Sequence, residues 1–385
     1  MITNTFMLLK LKEFISEKTI LVRAPGRINL IGEHTDYNEG FVLPAAIDKA
    51  AYIALTPGSN NTIHLYAVDL AEEYVTAADA INKSTNLMWP NYLLGVIAQF
   101  QKAGIEINGF DAALIAEVPV GAGLSSSAAV ECAMAIALNE MTNAGLDKLT
   151  LTKMAQKAEH EFAGVQCGIM DQFASMFGKK NHVIKLDCRS LEYKYVPFNL
   201  EGVKIVLFDT NVKHSLASSE YNVRREQCKR GIDMIKNYLP GVNSLRDVTL
   251  DMLDKYILPI DKLVYNRCKY VVEENIRLQN GCIDLEKNDI GSFGKKMFET
   301  HNGLSILYEV SCKELDFLVE AVKSNPLVLG ARMMGGGFGG CTINLVKEEG
   351  VDELVNTVSL CYKNEMKKDL KAYIAVIADG ATVIK

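Results

Sequence analysis

Between an apolar, β-like run and a long Ala-, Met- and Leu-rich helical stretch, the chain reads PVGAGLSSSAA over Pro119 to Ala129. Few local strings constrain a fold as much. Gly121 and Gly123 allow dihedrals closed to other residues and let backbone approach an anion closely. Ser125, Ser126 and Ser127 supply hydroxyls. The helix that begins near Ser127 aims unpaired N–H groups and the positive end of its dipole back at the loop. A strand, a Gly/Ser loop and a helix in this order make a candidate phosphate cradle, in which a serine can also ligate Mg²⁺. The same string also suits a plain turn with a serine cap. It is neither a GxxxxGK[ST] P-loop nor a GxSxG elbow, and the protein-kinase signatures HRD and DFG are missing.

Around this loop the elements are mixed. Thr19–Ala24, Phe41–Leu43, Ala51–Leu55, Ile63–Ala67, Ala112–Val118, His182–Asp187, Val203–Asp209, Thr342–Val346 and Ala372–Ile377 read as strands. Trp89–Ala103, Ser127–Met141 and Thr150–Val165 read as helices, and from Ser219 to about Gln279 the pattern is largely helical, broken near Pro240 and Pro259. There is no steady βαβ alternation, which predicts an α+β fold over a doubly wound sheet. With 385 residues, two domains are expected, dividing around 195 near Pro197.

A second glycine cluster, Met334 to Gly340, reads MGGGFGG and formally contains GxGxxG. A strand follows it rather than a helix, so a tight turn between two strands, with backbone open to a ligand, fits better than a dinucleotide fingerprint.

Gly32-Glu33-His34-Thr35-Asp36-Tyr37 crowds two carboxylates, a histidine and an aromatic ring into six positions. Carboxylates accept paired hydrogen bonds from vicinal hydroxyls, so such a loop can read a sugar. A solvated acidic turn is the commoner fate of such a string. Arg27, just upstream, could balance phosphoryl charge or pair with Glu33 or Asp36. On the helix from Thr150, Lys153, Lys157 and Glu161 form one solvated stripe, whereas Glu159 falls with Ala155, Phe162 and Ala163 on the less polar face. An inward carboxylate needs a partner, either a metal ion or a neighbouring side chain. Asp171, after Gly168, could reach a cleft or simply start a helix.

Together these strings resemble the galactokinases, within the GHMP kinase superfamily that also holds homoserine, mevalonate and phosphomevalonate kinases. RAPGRINLIGEHTDYNEGFVLPAAI is similar to the galactokinase signature, PVGAGLSSSAA to the superfamily phosphate loop and MMGGGFGGCTINLV to its third motif. MWPNYLLGV and TNVKHSLASSEYNVRREQC are also similar to galactokinase segments, so the likeness runs the length of the chain. It implies a two-lobed fold. The N-terminal lobe, 1–195, would be of the ribosomal-protein S5 domain 2 type and the C-terminal lobe, 196–369, ferredoxin-like, with a final strand from about 370–385 returning to the first. The implied reaction transfers the γ-phosphoryl of ATP to the anomeric hydroxyl of D-galactose, the first committed step of galactose use. The implied roles are catalysis by Asp171 and Arg27, and sugar binding by Glu33, His34, Asp36 and Tyr221. Gly121, Ala122, Gly123, Leu124, Ser125, Ser126 and Ser127 would bind the ATP phosphates, and Ser127 and Glu159 would hold Mg²⁺. Kinases of related sugars such as N-acetylgalactosamine or L-arabinose, and galactokinase-like sugar sensors, are the rivals. Ser125–Ala129, Arg27 and Asp171 are intact here, which speaks against a sensor.

The remaining composition is consistent with such an enzyme. A net charge of -6 offers no basic face for nucleic acid or an anionic membrane. The apolar run Phe6–Leu9 is too short for a signal h-region, and no window approaches the roughly 20 apolar residues of a membrane helix. Nine cysteines without a CxxC pair fit reduced thiols in the cytoplasm, and a monomer is expected.

Overall fold

A computed structural model describes residues 2–212 and 217–385 of the chain. Residues 213–216, inside the TNVKHSLASSEYNVRREQC string, lie outside the described residues. The chain opens with helix α1 (Ile2–Leu11) and strands β1 (Ile20–Asn29), β2 (Phe41–Val42), β3 (Pro44–Pro57), β4 (Thr62–Ala67) and β5 (Glu72–Ala77). Next come α2 (Trp89–Lys102), β6 (Phe110–Ala116), α3 (Ser126–Thr142), α4 (Lys148–Ala158), α5 (Met170–Phe177), β7 (His182–Asp187) and β8 (Tyr193–Pro197). After β9 (Val203–Asp209) follow α6 (Ala217–Lys236), α7 (Leu250–Tyr256), α8 (Lys262–Glu286), α9 (Ile290–Asn302) and α10 (Lys313–Lys323). The chain then forms β10 (Val328–Met333), β11 (Cys341–Lys347), α11 (Val351–Met366), β12 (Lys371–Ala375) and β13 (Thr382–Val383).

The strands sort into three sheets. A six-stranded sheet runs β13-β1-β3-β6-β4-β5, a three-stranded one β2-β7-β8, and a four-stranded one β10-β11-β9-β12. The first two make one lobe and the third, with its helices, the other. Strand pairing passes from the first lobe to the second between Pro197 and Val203. β12 pairs with β9 in the second lobe; the chain comes back just after it, where Ile377 bridges Ile47 of β3, and β13 then sets Val22 against Val383 and Arg23 against Thr382. The α+β reading holds, as does the choice of strands over a Rossmann unit around the second glycine cluster: residues 334–340 join antiparallel β10 and β11. Among the described residues no helix is long and apolar enough to cross a membrane.

Two local departures from the sequence reading have physical causes. The helix expected over Thr150–Val165 is α-helical only to Ala158, and Glu159–Ala163 widen into a π-turn before Gly164 at φ +80°. Glu159, at the start of this turn, is buried beside Ser127, on the inward face its spacing from Ala155 predicts. β5 and β8 are edge strands with largely exposed faces, so they lack the apolar signal of the inner strands.

Helix α3 lies across β1 and β3. Its buried face is built of Ala128, Ala129, Ala133, Ala135 and Ala137, whose small side chains let helix and sheet come close. This fixes the Gly/Ser loop over β1. There the main-chain N–H of Arg27 donates to the Leu124 carbonyl at 3.0 Å. Gly26 makes the approach possible: a Cβ at that position would stand 2.7 Å from the Leu124 oxygen and 2.9 Å from Val118. Gly26→Ala should therefore push the loop from the strand and cost about 1–3 kcal/mol of stability. Urea unfolding that shows no loss would contradict this packing.

Candidate active site

β1 delivers Arg27 to the bottom of a cleft between the lobes. The guanidinium is 4% exposed and meets Asp171, in the first turn of α5, with two parallel hydrogen bonds: Nε to Oδ1 and Nη2 to Oδ2, both at 2.8 Å. Its Nη1 donates to the Gly123 carbonyl, and the Ser125 hydroxyl donates to Asp171 Oδ2. Burial alone would lower the Arg27 pKa, but the charges of Asp171, Glu33 and Asp36 hold it above its ordinary value. Cation, carboxylate and phosphate loop thus form one bonded unit from parts of the chain 144 residues apart.

Above this unit lies a cavity of about 270 Å³. Arg27, Glu33, His34, Asp36, Glu159, Asp171 and Tyr221 are among the residues that line it. Ser127 stands one step back, its hydroxyl donating to Glu159 Oε1 at 3.0 Å. All the side chains the resemblance marks for catalysis, sugar binding and metal binding therefore converge here. The loop Gly121–Ser127 forms the adjoining edge, with Ser125 in the left-handed region at φ 56° immediately before α3.

The glycine turn 334–340 closes the cavity from the second lobe, and much of its free backbone is already engaged. Gly335 N–H donates to Glu33 Oε1 at 2.8 Å, and the Gly336 carbonyl faces His34 Nε2 at 3.2 Å. Gly335 also packs on Gly123, so this turn and the phosphate loop touch backbone to backbone.

Charge in the cavity is uneven. Burial, followed by the nearby Asp171, pushes Asp36 up to about 7. Burial pulls His34 down to about 4, which leaves its ring neutral near pH 7. A neutral His34 whose Nε2–H donates to Gly336 must accept at Nδ1. Tyr37 Oη lies there at 2.7 Å, Tyr308 Oη follows at 2.8 Å and Cys228 Sγ at 3.2 Å. The protons therefore run one way, from Cys228 through the two tyrosines to His34. Both His34 nitrogens are spent on the protein, so this residue shapes the cavity rather than offering a free hydrogen bond. Tyr221 packs tilted against His34 and edge-on to Tyr37, with ring centres 5.3 and 5.1 Å away.

Sequence reading passed over Glu131, Gln172 and Arg332. Gln172 Nε2 bridges Glu159 Oε2 at 2.6 Å and Glu131 Oε2 at 3.1 Å. Glu131 Oε1 and Gln172 Oε1 are buried without a partner among the described residues. Burial, then the Glu159 charge, raises Glu131 well above the usual carboxylate range; burial and Asp171 raise Glu159. A lone acid inside the apolar run SSAAVECAMAIAL, and a lone arginine in VLGARM, were the available signals.

Asp36 and His34 together set a pH signature. Between about 4 and 7 the folded protein keeps a proton on Asp36 that the unfolded chain has released, so this contribution falls as pH rises through 7. His34 acts in the opposite sense, adding stability from about 4 up to 6.5, and is finished above that. In the absence of sugar and nucleotide, wild type should lose stability relative to Asp36→Asn as pH rises from about 4 to 7, and the difference should level off above that. Parallel urea-unfolding curves over that range would refute the burial of this charge.

Similarity to known proteins agrees with the geometry. Residues 11–57 match the family described as "Galactokinase galactose-binding signature", 91–179 "GHMP kinases N terminal domain" and 283–364 "GHMP kinases C terminal". The chain is 41% identical over 363 residues to the galactokinase of Thermotoga neapolitana, covering 94% of this chain and 99% of that one. With the galactokinase of Roseiflexus sp. (strain RS-1) it shares 39% over 361 residues, covering 94% and 92%. The crystal structure of Lactococcus lactis galactokinase complexed with galactose superposes with a TM-score of 0.93 at 33% identity, over 99% of both chains. A mevalonate kinase follows the same fold at TM-score 0.67 and 20% identity, over 93% of this chain and 99% of the other.

Proposed function

The chain belongs to the galactokinases of the GHMP kinase superfamily, and on that premise we propose how its own residues move the γ-phosphoryl of ATP to the anomeric hydroxyl of D-galactose. The observation that carries the proposal is the Arg27–Asp171 pair, held at the meeting point of phosphate loop and sugar-reading wall.

Phosphoryl transfer asks for positioning and charge neutralisation more than covalent chemistry. The amides of Gly121–Ser127 and the start of α3 would hold the nucleotide phosphates. Arg27, buried and fully charged, would stabilise the transferring group. Glu33 and Asp36 would accept hydroxyls of the sugar, with Tyr221 and the spent His34 fixing its outline. Asp171 would take the proton of the attacking hydroxyl. One observation favours a second reading, in which Asp171 only orients that hydroxyl. Three donors, two from Arg27 and one from Ser125, take three of the four lone-pair sites of this carboxylate; the one site left can accept the hydroxyl, but the donors and the cation favour the ionised form and weaken it as a base.

Among the described residues no group of three or more His, Cys, Asp and Glu side chains is arranged to hold a metal ion. Mg²⁺ that arrives with a nucleotide needs less, one or two oxygen ligands beside the phosphates. Ser127 and Glu159 would meet that need: hard donors 3.0 Å apart, with unpartnered acceptors on Glu131 and Gln172 behind them. When bound there, the ion would neutralise phosphate charge. Nine unpaired cysteines fit the cytoplasm.

Asp171→Asn keeps the shape and avoids stranding Arg27 beside an apolar hole. It should lower kcat by about 10²–10⁴ with nucleotide affinity unchanged if Asp171 is the base. A loss of tenfold or less in a coupled ADP-release assay would support the orienting role. The same assay should show turnover of D-galactose well above N-acetylgalactosamine and L-arabinose. Glu159→Gln should raise the Mg²⁺ concentration needed for nucleotide binding by roughly tenfold, as for loss of one charged ligand contact. A fluorescent-nucleotide titration insensitive to this change would remove Glu159 from the ion.

A further inference from the structure

Arg332 is fully buried on β10, in the second lobe, yet everything it serves beyond its own strand is in the first. Its Nε–H donates to the Leu30 carbonyl at 2.6 Å, its Nη2 to the Asn29 carbonyl, and its Nη1 to the carbonyl of its neighbour Met333. The remaining contact is ionic: Nη2 reaches Glu33 Oε1 at 2.9 Å. Among the described residues Glu33 is the one carboxylate paired with this guanidinium. A cation this deep is tolerable only with such a partner, because the cost of removing it from water must be met locally.

Glu33 is equally constrained. It is 2% exposed, and its Oε1 also accepts the Gly335 N–H at 2.8 Å. Two donors from the second lobe therefore saturate one oxygen. The other, Oε2, accepts no hydrogen bond among the described residues, while Glu33 lines the cavity. Lysine could not replace the arginine here. A point charge on a flexible stem cannot reach two first-lobe carbonyls and a carboxylate at once, whereas a planar fork can.

We infer that Arg332 is a positioning residue for sugar recognition: it pins Glu33 so that a single carboxylate oxygen is presented to one sugar hydroxyl. Sugar selectivity then resides in a contact between the lobes and not in the signature segment alone. This rests on Glu33 being a sugar contact, and the test separates the two claims.

The test measures kinetics and galactose affinity with D-galactose and a set of monodeoxygalactoses, for wild type, Glu33→Gln, Arg332→Lys and the double variant Glu33→Gln/Arg332→Gln. The hydroxyl read by Glu33 is the one whose removal costs wild type more than it costs Glu33→Gln. Arg332→Lys should raise the galactose KM roughly 10- to 100-fold, the scale of a hydrogen bond to a charged group, with ATP KM unchanged. It should also blunt discrimination at that same hydroxyl. The double variant removes both buried charges together, and its galactose KM should be no worse than that of Glu33→Gln.

If Glu33→Gln leaves affinity and discrimination intact, the sugar role of Glu33 falls, and this inference with it. If Glu33→Gln weakens galactose but Arg332→Lys does not, only the inference falls. Equal rises in galactose and ATP KM, or losses that add in the double variant, would mark Arg332 as a structural residue and overturn it. Should Arg332→Lys fail to fold, the double variant decides against Glu33→Gln: a galactose KM no worse than that of Glu33→Gln supports the inference, and a further rise overturns it.

Discussion

One buried guanidinium organises the centre of this enzyme. Arg27 holds Asp171 with two bonds and the Gly/Ser loop, at the Gly123 carbonyl, with a third, while its own main chain is tied to Leu124. Strand, loop and helix α5 cannot shift independently without leaving a cation unpaired in a dry place, a change that typically costs about 3–5 kcal/mol. The rest of the first lobe supports that arrangement. The alanines of α3 bring the loop down, Gly26 leaves room for it, and β3 braces β1 from behind.

The second lobe supplies a matching piece. Its glycine turn sits against Gly123 with Gly335, holds Glu33 and caps His34. The cavity therefore has two rigid walls from different lobes. Its polar groups are mostly satisfied by protein, with a few acceptors left over. Such preorganisation is what a reaction dominated by charge positioning requires.

Much of this was legible in the sequence because the residues concerned obey local rules. Glycines that permit close approach, serines ahead of a helix and an inward-facing Glu159 can be read from spacing. The apolar strand Val203–Asp209 could be read directly, and its bounds agree with the structure. What escaped was set by tertiary partners. Glu131 looked like an ordinary acid on a helix, and only the neighbouring Gln172 and Glu159 show that it is sealed inside. Arg332 was hidden by distance, since its ionic partner lies 299 residues away. β5 and β8 escaped because edge strands need not be apolar. The π-turn at Glu159 was invisible to a period of 3.6, as a one-residue insertion in a helix carries no composition of its own.

The pairing of β13 with β1 bears on how the protein is made. Until residues 382–383 are synthesised, β1 is the open edge of its sheet, because β3 covers only one side. The strand that carries Arg27 would thus emerge early from the ribosome and wait for the whole second lobe before its far side is sealed. An unsealed edge is a template for pairing with other chains. The second lobe is in this sense an interruption in the folding of the first.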